Sequence, residues 1–263
     1  MEKVTLPQGP DTTGLGKTNR KDSWWFEPLW TGLGFAIFVV YSTWAAFNPG
    51  PPEHPYYEWG PYLSPFFSPL FLVKAWPEWW PKLLRTPAVF IIWIPLGFRL
   101  TCYYFRRSYY RSYFFDPPAC AVGEARTHNY QGERGFFIFQ NLHRWFLYPA
   151  LALVVILAYD GVKAFFFEDG FGLGIGTLVL VLEPILIALF TFSCNSFRHL
   201  VGGNLDCYSC SFSNRARFQV WKKVSFINRN HKLWFWVSLL WVGFSDFYVR
   251  MLAMGIWTDW RIL

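Results

Sequence analysis

The sequence predicts an all-α polytopic membrane protein, a five-transmembrane-helix bundle with an interfacial outer loop after helix one. Of its 263 residues, 53% are hydrophobic, 22% are aromatic and only 16% are charged. Soluble domains carry about 25% charged residues on average. Long apolar stretches and a one-sided distribution of Lys and Arg point the same way. We therefore expect the chain to fold in a lipid bilayer.

Five stretches hold enough consecutive apolar residues to cross a membrane. About 20 residues of α-helix span the ~30 Å hydrocarbon core. The backbone must be helical there, because lipid offers no hydrogen-bond partner to an open strand edge. The predicted spans cover residues of about 30–47, 87–104, 145–166, 173–197 and 233–254.

The basic residues predict which end of the bundle faces the cytoplasm. Of the 24 Lys and Arg residues, 18 lie in the N-terminal tail and in the connections after the second and fourth spans, counting their flanks. The positive-inside rule places these segments in the cytoplasm and the C-terminus outside. We expect a multi-pass protein of the cell's plasma membrane, with a polar cytoplasmic tail (1–23) and a membrane domain (24–263). No nucleic-acid partner is expected, since the charges are spread along membrane edges.

The first outer connection, from Asn48 to Arg85, is crowded with proline and tryptophan. Proline interrupts a spanning helix, and tryptophan favours headgroup depth. This segment is therefore expected to lie along the outer surface as short interfacial pieces.

The chain lacks the local motifs of a self-contained redox enzyme. It has no dinucleotide-binding glycine motif after a strand-like run, no Walker loop and no ferredoxin-type cysteine string. Soluble partner subunits are therefore expected.

Nearly all potential redox-metal ligands lie on the predicted cytoplasmic side. Cys207 and Cys210 form a C-x-x-C pair flanked by His199 and His231, a spacing compatible with a metal site. Disulfides are not expected on this reducing side, so these thiols are predicted to be inert or metal-bound. The wider pool of cysteines comprises Cys102, Cys120 and Cys194.

The histidines discriminate between cofactors. His143, His199 and His231 all lie at the inner face, whereas a two-haem anchor needs a pair of histidines toward each face. One inner haem b stays open as an alternative. A Rieske-type 2Fe–2S cluster takes two cysteines on one iron and two histidines on the other, which this pool can supply.

Several long runs resemble one family of membrane anchors. They are YEWGPYLSPFFSPL (57–70), FRLTCYY (98–104), PPACAV (117–122), QNLHR (140–144), CNSFRHLVGG (194–203) and DFYVR (246–250). These runs are similar to the five-helix anchor subunit of actinobacterial-type succinate dehydrogenase, over nearly the whole chain after the tail. The resemblance implies a complex in which a flavoprotein subunit oxidises succinate and an iron-sulfur subunit relays electrons. The anchor then passes them to menaquinone, through a membrane-embedded Rieske-type cluster instead of haem.

The resemblance also shifts the expected metal ligands. The family-like runs contain Cys102, Cys120, Cys194, His143 and His199, and the turn before the last span adds His231. Cys207 and Cys210 lie outside these runs and stay as competitors. Cys120, held by two prolines, is the favoured thiol, with His143 and His231 as its imidazole partners.

Two further sets of residues follow from this reading. The proximal quinone candidates lie at the inner end, where an apolar slot with hydrogen-bond donors is needed. They are Tyr103, Tyr104, Trp145, Ser196 and Arg198. Acids inside a bilayer mark proton or ion paths, and Asp160, Glu183 and Asp246 are predicted to form such a path.

Two alternatives remain at the level of the sequence. One is a haem b-containing anchor of a succinate dehydrogenase or fumarate reductase. The other is a transporter or structural membrane protein, although Pro184 has no counterpart in an inverted repeat. The assembled complex could form a higher oligomer.

Overall fold

The structure is a computed structural model, and it describes residues 16–72, 76–115, 135–203 and 205–263. The chain divides into two compact units. The first comprises Met1–Ile37 and Arg99–Leu142, and the second comprises Phe38–Phe98 and His143–Leu263.

The described chain is mostly helical. Its α-helices are α1 (Phe26–Ala46), α2 (Trp93–Leu100), α3 (Tyr103–Tyr113), α4 (His143–Lys163), α5 (Ile175–Phe192), α6 (Asn195–Gly202), α7 (Phe212–Asn228) and α8 (His231–Ala253). Short 3-10 turns form at Pro55–Tyr57, Pro65–Leu72, Lys82–Leu84, Pro87–Phe90 and Gly135–Leu142. A hairpin of β1 (Phe166–Phe167) and β2 (Gly170–Phe171) joins α4 to α5. The predicted all-α class is confirmed.

In the described part of the chain, three helices are long and apolar enough to cross a membrane. They are α1, the stretch Ile138–Lys163 that contains α4, and α5. Helix α8 covers the fifth predicted span, but it carries Lys232, Asp246 and Arg250. At ~1.5 Å per residue its 23 residues are about 35 Å long, enough to span. Its crossing, and with it the count of five spans, stays a prediction.

The second predicted span is not one helix, so its boundaries were wrong. Residues 87–104 form a 3-10 turn, then α2, then the start of α3, with a break at Thr101 and Cys102. Pro95 is tolerated because it stands in the first turn of α2, where backbone N–H groups lack intrahelical partners. The fourth span is also shorter than predicted, because α5 ends at Phe192 and a new helix begins at Asn195.

The second unit is built around α4, α5 and α8, with α5 packed against both of the others. Gly161 lets α4 and α5 approach closely, since a Cβ at this position would lie 3.0 Å from the carbonyl oxygen of Leu180. Leu147, Phe235 and Leu239 are among the side chains fully buried in this unit.

The first unit pairs the N-terminal half of α1 with α3. The Phe35 and Phe105 rings lie 4.4 Å apart, and the hydroxyl of Tyr113 donates to the carbonyl oxygen of Gly32 at 3.1 Å. Trp24 contacts Phe115 edge to face.

The connection after α1 was predicted to lie along the membrane surface, but part of it is buried in the protein. It does form short turns, as expected, but residues 61–68 are all buried in the second unit. Tyr62 and Phe67 belong to the core that also contains Val249 and Leu252 of α8. Two serines in this segment, Ser64 and Ser68, are also buried. The segment therefore packs into the helices instead of lying on the surface. We call its largely buried part, from Tyr57 to Ser68, the plug.

The C-terminus is fixed to the same unit. The backbone of Leu173 bonds to Ile262 and Leu263, and Ile175 donates to the carbonyl oxygen of Trp260. Arg261 pairs with Asp169 in the hairpin turn. The hydrogen bond from Arg261 holds the pKa of Asp169 below its ordinary value.

Candidate cluster site and buried charges

Three helix ends meet at one end of the second unit and bring ligand-type side chains together. His143 is the first residue of α4, and His231 is the first residue of α8. Cys194 caps α6 immediately after the end of α5, its sulfur accepting from the backbone N–H of Ser196. Side chains that are far apart in the sequence thus converge because consecutive helices turn at this end.

His143 and Cys194 form the closest contact of this set. The Nε2 atom of His143 lies 2.9 Å from the Sγ atom of Cys194, and this thiol is 2% exposed. A buried thiol beside an imidazole offers one sulfur and one nitrogen donor at the same place. This is the donor chemistry of an iron site that mixes cysteine and histidine ligands.

His231 belongs to the same end of the bundle. Its Nδ1 atom lies 2.7 Å from the hydroxyl of Ser193, the residue before Cys194. Phe98 stacks on His143 at 4.6 Å and Phe190 stacks on His231 at 5.2 Å, while the two phenyl rings contact each other edge to face. The two imidazoles are therefore held in one apolar, aromatic setting. We call His143, Cys194 and His231 with these two phenylalanines the histidine-cysteine cluster.

The other predicted metal ligands have different settings. Cys102 is buried in the first unit, and His199 is exposed on α6. Cys120 lies outside the described residues. Within the described ranges, no group of three or more His, Cys, Asp or Glu side chains is arranged to hold a metal ion.

The state of the C-x-x-C cysteines differs from the one predicted. Cys207 and Cys210 form a disulfide, so they are not the inert or metal-binding thiols that a reducing compartment led us to expect. Their position three residues apart in the turn before α7 lets the two sulfurs meet. In this state neither sulfur is available as a thiolate ligand.

The predicted quinone residues are distributed over both units. Ser196 and Arg198 lie on α6 next to Cys194, and Arg198 donates to the hydroxyl of Ser225 at 2.9 Å. Trp145, in the first turn of α4, is 70% exposed. Tyr103 and Tyr104 begin α3 in the first unit, where Arg106 lies 5.2 Å above the Tyr103 ring.

The three acids predicted to form a proton path are all buried in the second unit. Asp160 and Glu183 have one kind of environment, and Asp246 has another. Asp160 on α4 and Glu183 on α5 are 8% and 2% exposed. Among the described residues, Oδ2 of Asp160 and Oε1 of Glu183 have no hydrogen-bond partner. Both Asp160 and Asp246 interact electrostatically with Glu183. The acids therefore form one coupled group across α4, α5 and α8.

Asp246 is the acid with a full set of partners. Its carboxylate is 2.7 Å from Nε of Arg250, one turn further along α8, and both side chains are buried. The hydroxyl of Tyr41 donates to it at 2.6 Å, and the hydroxyl of Ser64 in the plug donates to its other oxygen. This geometry favours a fixed charge at Asp246 over the proton-carrying role predicted from the sequence.

Arg250 is the last residue of the run DFYVR, to which no separate role was assigned from the sequence. Its guanidinium donates to the carbonyl oxygens of Ala45 at 2.8 Å and Asn48 at 3.2 Å, and lies 4.1 Å above the Tyr57 ring. It therefore ties α8 to the end of α1 and to the plug. The i, i+4 spacing of Asp246 and Arg250 was the sequence signal for this pair.

A second network, centred on the partly buried carboxylate of Asp259, was also not foreseen. Asp259 accepts from the hydroxyls of Tyr62 and Tyr248, each at 2.7 Å, and from the backbone N–H of Gly176 at 3.0 Å. Burial, and then the nearby Asp259 carboxylate, raise the pKa of Tyr62 above its ordinary value. The plug, α5, α8 and the C-terminus are joined at this point.

Comparisons with known proteins identify the class. Residues 26–255 match the family model described as actinobacterial succinate dehydrogenase subunit SdhC. The chain belongs to this family, and it is accordingly a membrane-anchor subunit of a succinate dehydrogenase complex. This sets aside the transporter and purely structural alternatives.

The chain also resembles a protein of known structure. The chain is similar to a chain of the Mycobacterium smegmatis Sdh1 complex in the apo form, with 37% sequence identity and a TM-score of 0.79. The similarity covers 94% of each chain. No curated protein matches the sequence.

Proposed function

We propose that this chain passes electrons from an iron-sulfur partner subunit to menaquinone through a Rieske-type 2Fe–2S cluster. The observation that carries the proposal is the 2.9 Å approach of His143 to Cys194, with His231 held at the same end of the bundle. This arrangement brings nitrogen and sulfur donors together in apolar surroundings. It is the mixed ligation that distinguishes a Rieske-type centre from an all-cysteine one.

The partners follow from the family and from the relative. The similar chain comes from an Sdh1 complex, so we assign this chain a flavoprotein subunit that oxidises succinate and an iron-sulfur subunit. The complex would sit in the plasma membrane with the N-terminus of this chain in the cytoplasm, as the basic residues predict. The histidine-cysteine cluster would then face the soluble subunits.

The ligands of the cluster would come from the residues named above. His143, His231 and Cys194 are the first choice, and Cys102 and Cys120 stay sequence-based candidates for the second thiolate. A bound 2Fe–2S cluster would accept and release single electrons. The protein would contribute the apolar surroundings from Phe98 and Phe190, which exclude water and influence the reduction potential.

The quinone would bind near the same end. Arg198 and Ser196 lie on α6 directly after Cys194, where a cation and a hydroxyl could bond to quinone carbonyl oxygens. Trp145 offers an exposed aromatic face on α4. Tyr103 and Tyr104 remain predicted hydroxyl donors from the sequence.

We further propose that Asp160 and Glu183 carry the protons that quinone reduction consumes. Buried carboxyl oxygens without partners are costly unless they are protonated or hydrated. Asp246, held by Arg250, would stay outside this path. Replacing Glu183→Gln should abolish the dependence of quinone reduction on membrane potential, and an unchanged dependence would exclude this path.

Pulsed electron paramagnetic resonance of the reduced complex tests the proposed cluster. A Rieske-type centre gives a signal with low average g and strong coupling to histidine nitrogens. His143→Ala should remove this signal, whereas His54→Ala, a histidine in the outer connection, should leave it unchanged. A haem b anchor would instead show a Soret band and no such nitrogen-coupled signal, and that result would favour the alternative.

A further inference from the structure

We propose that α7 lies on the membrane surface and binds the headgroups of anionic phospholipids. This proposal requires only that the bundle spans a membrane, and it is independent of the metal centre. Helix α7 connects the end of α5 to the start of α8. His231 at the start of α8 contacts Ser193 just after α5, so both helices reach the same end of the bundle. Helix α7 must therefore lie at that end.

One face of α7 is fixed to the protein. Trp221 packs over Gly202 of α6, where a Cβ would come within 2.3 Å of the indole ring. Arg217 donates to the carbonyl oxygens of Val201 and Gly203, which end α6. Arg198 from α6 stacks on Trp221 at 4.6 Å. The orientation of α7 about its own axis is thereby set.

The opposite face carries two parallel rows of exposed side chains. Residues seven apart on a helix lie nearly in line, with a drift of only about 20° per seven residues. The first row is Phe212, Gln219 and Phe226, and the second is Arg215, Lys222 and Arg229. Each row extends about 21 Å at ~1.5 Å per residue. The two phenylalanines are 82% and 67% exposed.

The charge of this face is entirely positive. No Asp or Glu occurs between Cys207 and Ser245, so no acid on α7 itself neutralises the cationic row. Lys222 lies 5.0 Å above the Phe218 ring, and Arg229 lies 6.0 Å from the Phe226 ring. The cationic groups thus stand beside aromatic ones along the helix. An aromatic row next to a cationic row is typical of helices at an anionic membrane surface.

The chemistry favours a lipid surface over a protein partner. Cores of protein interfaces are depleted in lysine, and this face has Lys222 and Lys223 at its centre. Two phenylalanines about 21 Å apart on one line would enter the acyl boundary together if α7 lies parallel to the membrane. The cationic row would then lie at the level of the lipid phosphates.

Native mass spectrometry of the intact complex tests this proposal. The complex, with its partner subunits, is titrated with phosphatidylglycerol and, separately, with zwitterionic phosphatidylcholine. The variant Arg215→Gln/Lys222→Gln/Arg229→Gln should weaken phosphatidylglycerol binding at least tenfold, since each basic group near an anionic surface contributes about fivefold. Phosphatidylcholine binding should not change. The single variant Lys222→Gln should give a severalfold loss if the triple variant does not assemble.

A matched control neutralises three cations elsewhere, two of which already pair with acids, in Lys82→Gln/Lys163→Gln/Arg261→Gln. This control should leave the difference between the two lipids unchanged. Equal phosphatidylglycerol binding by wild type and the α7 variant would overturn the proposal. Loss of the soluble subunits from the α7 variant, with lipid binding retained, would also overturn it, because the face would then be a protein interface.

Discussion

Replacing Arg250→Met should strongly destabilise the second unit. The substitution keeps an unbranched side chain of similar length but removes the guanidinium. Asp246 would lose its partner at 2.7 Å, and the carbonyl oxygens of Ala45 and Asn48 would lose their donors. Removing one partner of a buried pair typically costs 3–5 kcal/mol, because the remaining charge stays in the interior.

The structure places the expected cost at the lower end of that range. Tyr41 and Ser64 would still donate to the Asp246 carboxylate after the substitution. We therefore expect a loss of about 3 kcal/mol in the free energy of unfolding. For a chain of this size that corresponds to a fall in Tm of roughly 6–12 °C. Thermal unfolding of the purified complex, followed by fluorescence-detected size exclusion, measures this shift.

Two further variants test the role of the buried pair. Arg261→Met removes the arginine of a different Arg–Asp pair, the exposed one with Asp169, so no resolvable shift is expected. The double variant Asp246→Asn/Arg250→Met should be more stable than Arg250→Met alone, because no unpaired charge remains. If Arg250→Met behaves like Arg261→Met, or if the double variant shows simple addition, the buried pair does not have the role assigned to it.

Three other predictions concern packing, the plug and the disulfide. Gly161→Leu should destabilise the protein by about 1–3 kcal/mol, because the leucine side chain would force α5 away from α4. Gly243→Ala, where a Cβ would make ordinary contacts, should be tolerated. Thermal unfolding distinguishes the two variants. Tyr62→Phe should cost about 1–2 kcal/mol, since the partly buried Asp259 carboxylate loses one of its three donors, and Tyr148→Phe on a half-exposed ring is the comparison. Cys207→Ser/Cys210→Ser should leave the iron content of the complex unchanged, and a loss of iron would return these two cysteines to the ligand set.

The sequence predicted the helices whose apolar runs are long and uninterrupted. Helices α1, α4, α5 and α8 begin and end within a few residues of the predicted positions, α5 excepted at its C-terminus. The second span failed because hydrophobicity alone does not reveal the break at Thr101 and Cys102. The burial of residues 61–68 was missed because prolines and tryptophans were assigned to the membrane surface. Tyr62 and Ser64 instead bond to carboxylates of the C-terminus and α8, contacts between residues 182 or more positions apart.

The sequence predicted the residue types of the site better than it predicted their arrangement. The sequence identified His143, Cys194 and His231 as ligand types on one side of a membrane, and their approach required only that consecutive helices turn at that end. It favoured Cys120, which lies outside the described residues. It could not foresee the bond between Cys207 and Cys210, because the expected compartment argued against it. The pairing of Asp246 with Arg250 was visible as an i, i+4 spacing, but the contribution of α1 to that pair depends on the tertiary fold.

The iron and acid-labile sulfide content of the membrane subunit, taken with its visible spectrum, tests the central claim most directly. A Rieske-type anchor should contain two iron and two sulfide per chain, show no Soret band, and lose both iron and sulfide in Cys194→Ser. A Soret band without acid-labile sulfide, or an iron content that Cys194→Ser leaves unchanged, would contradict it.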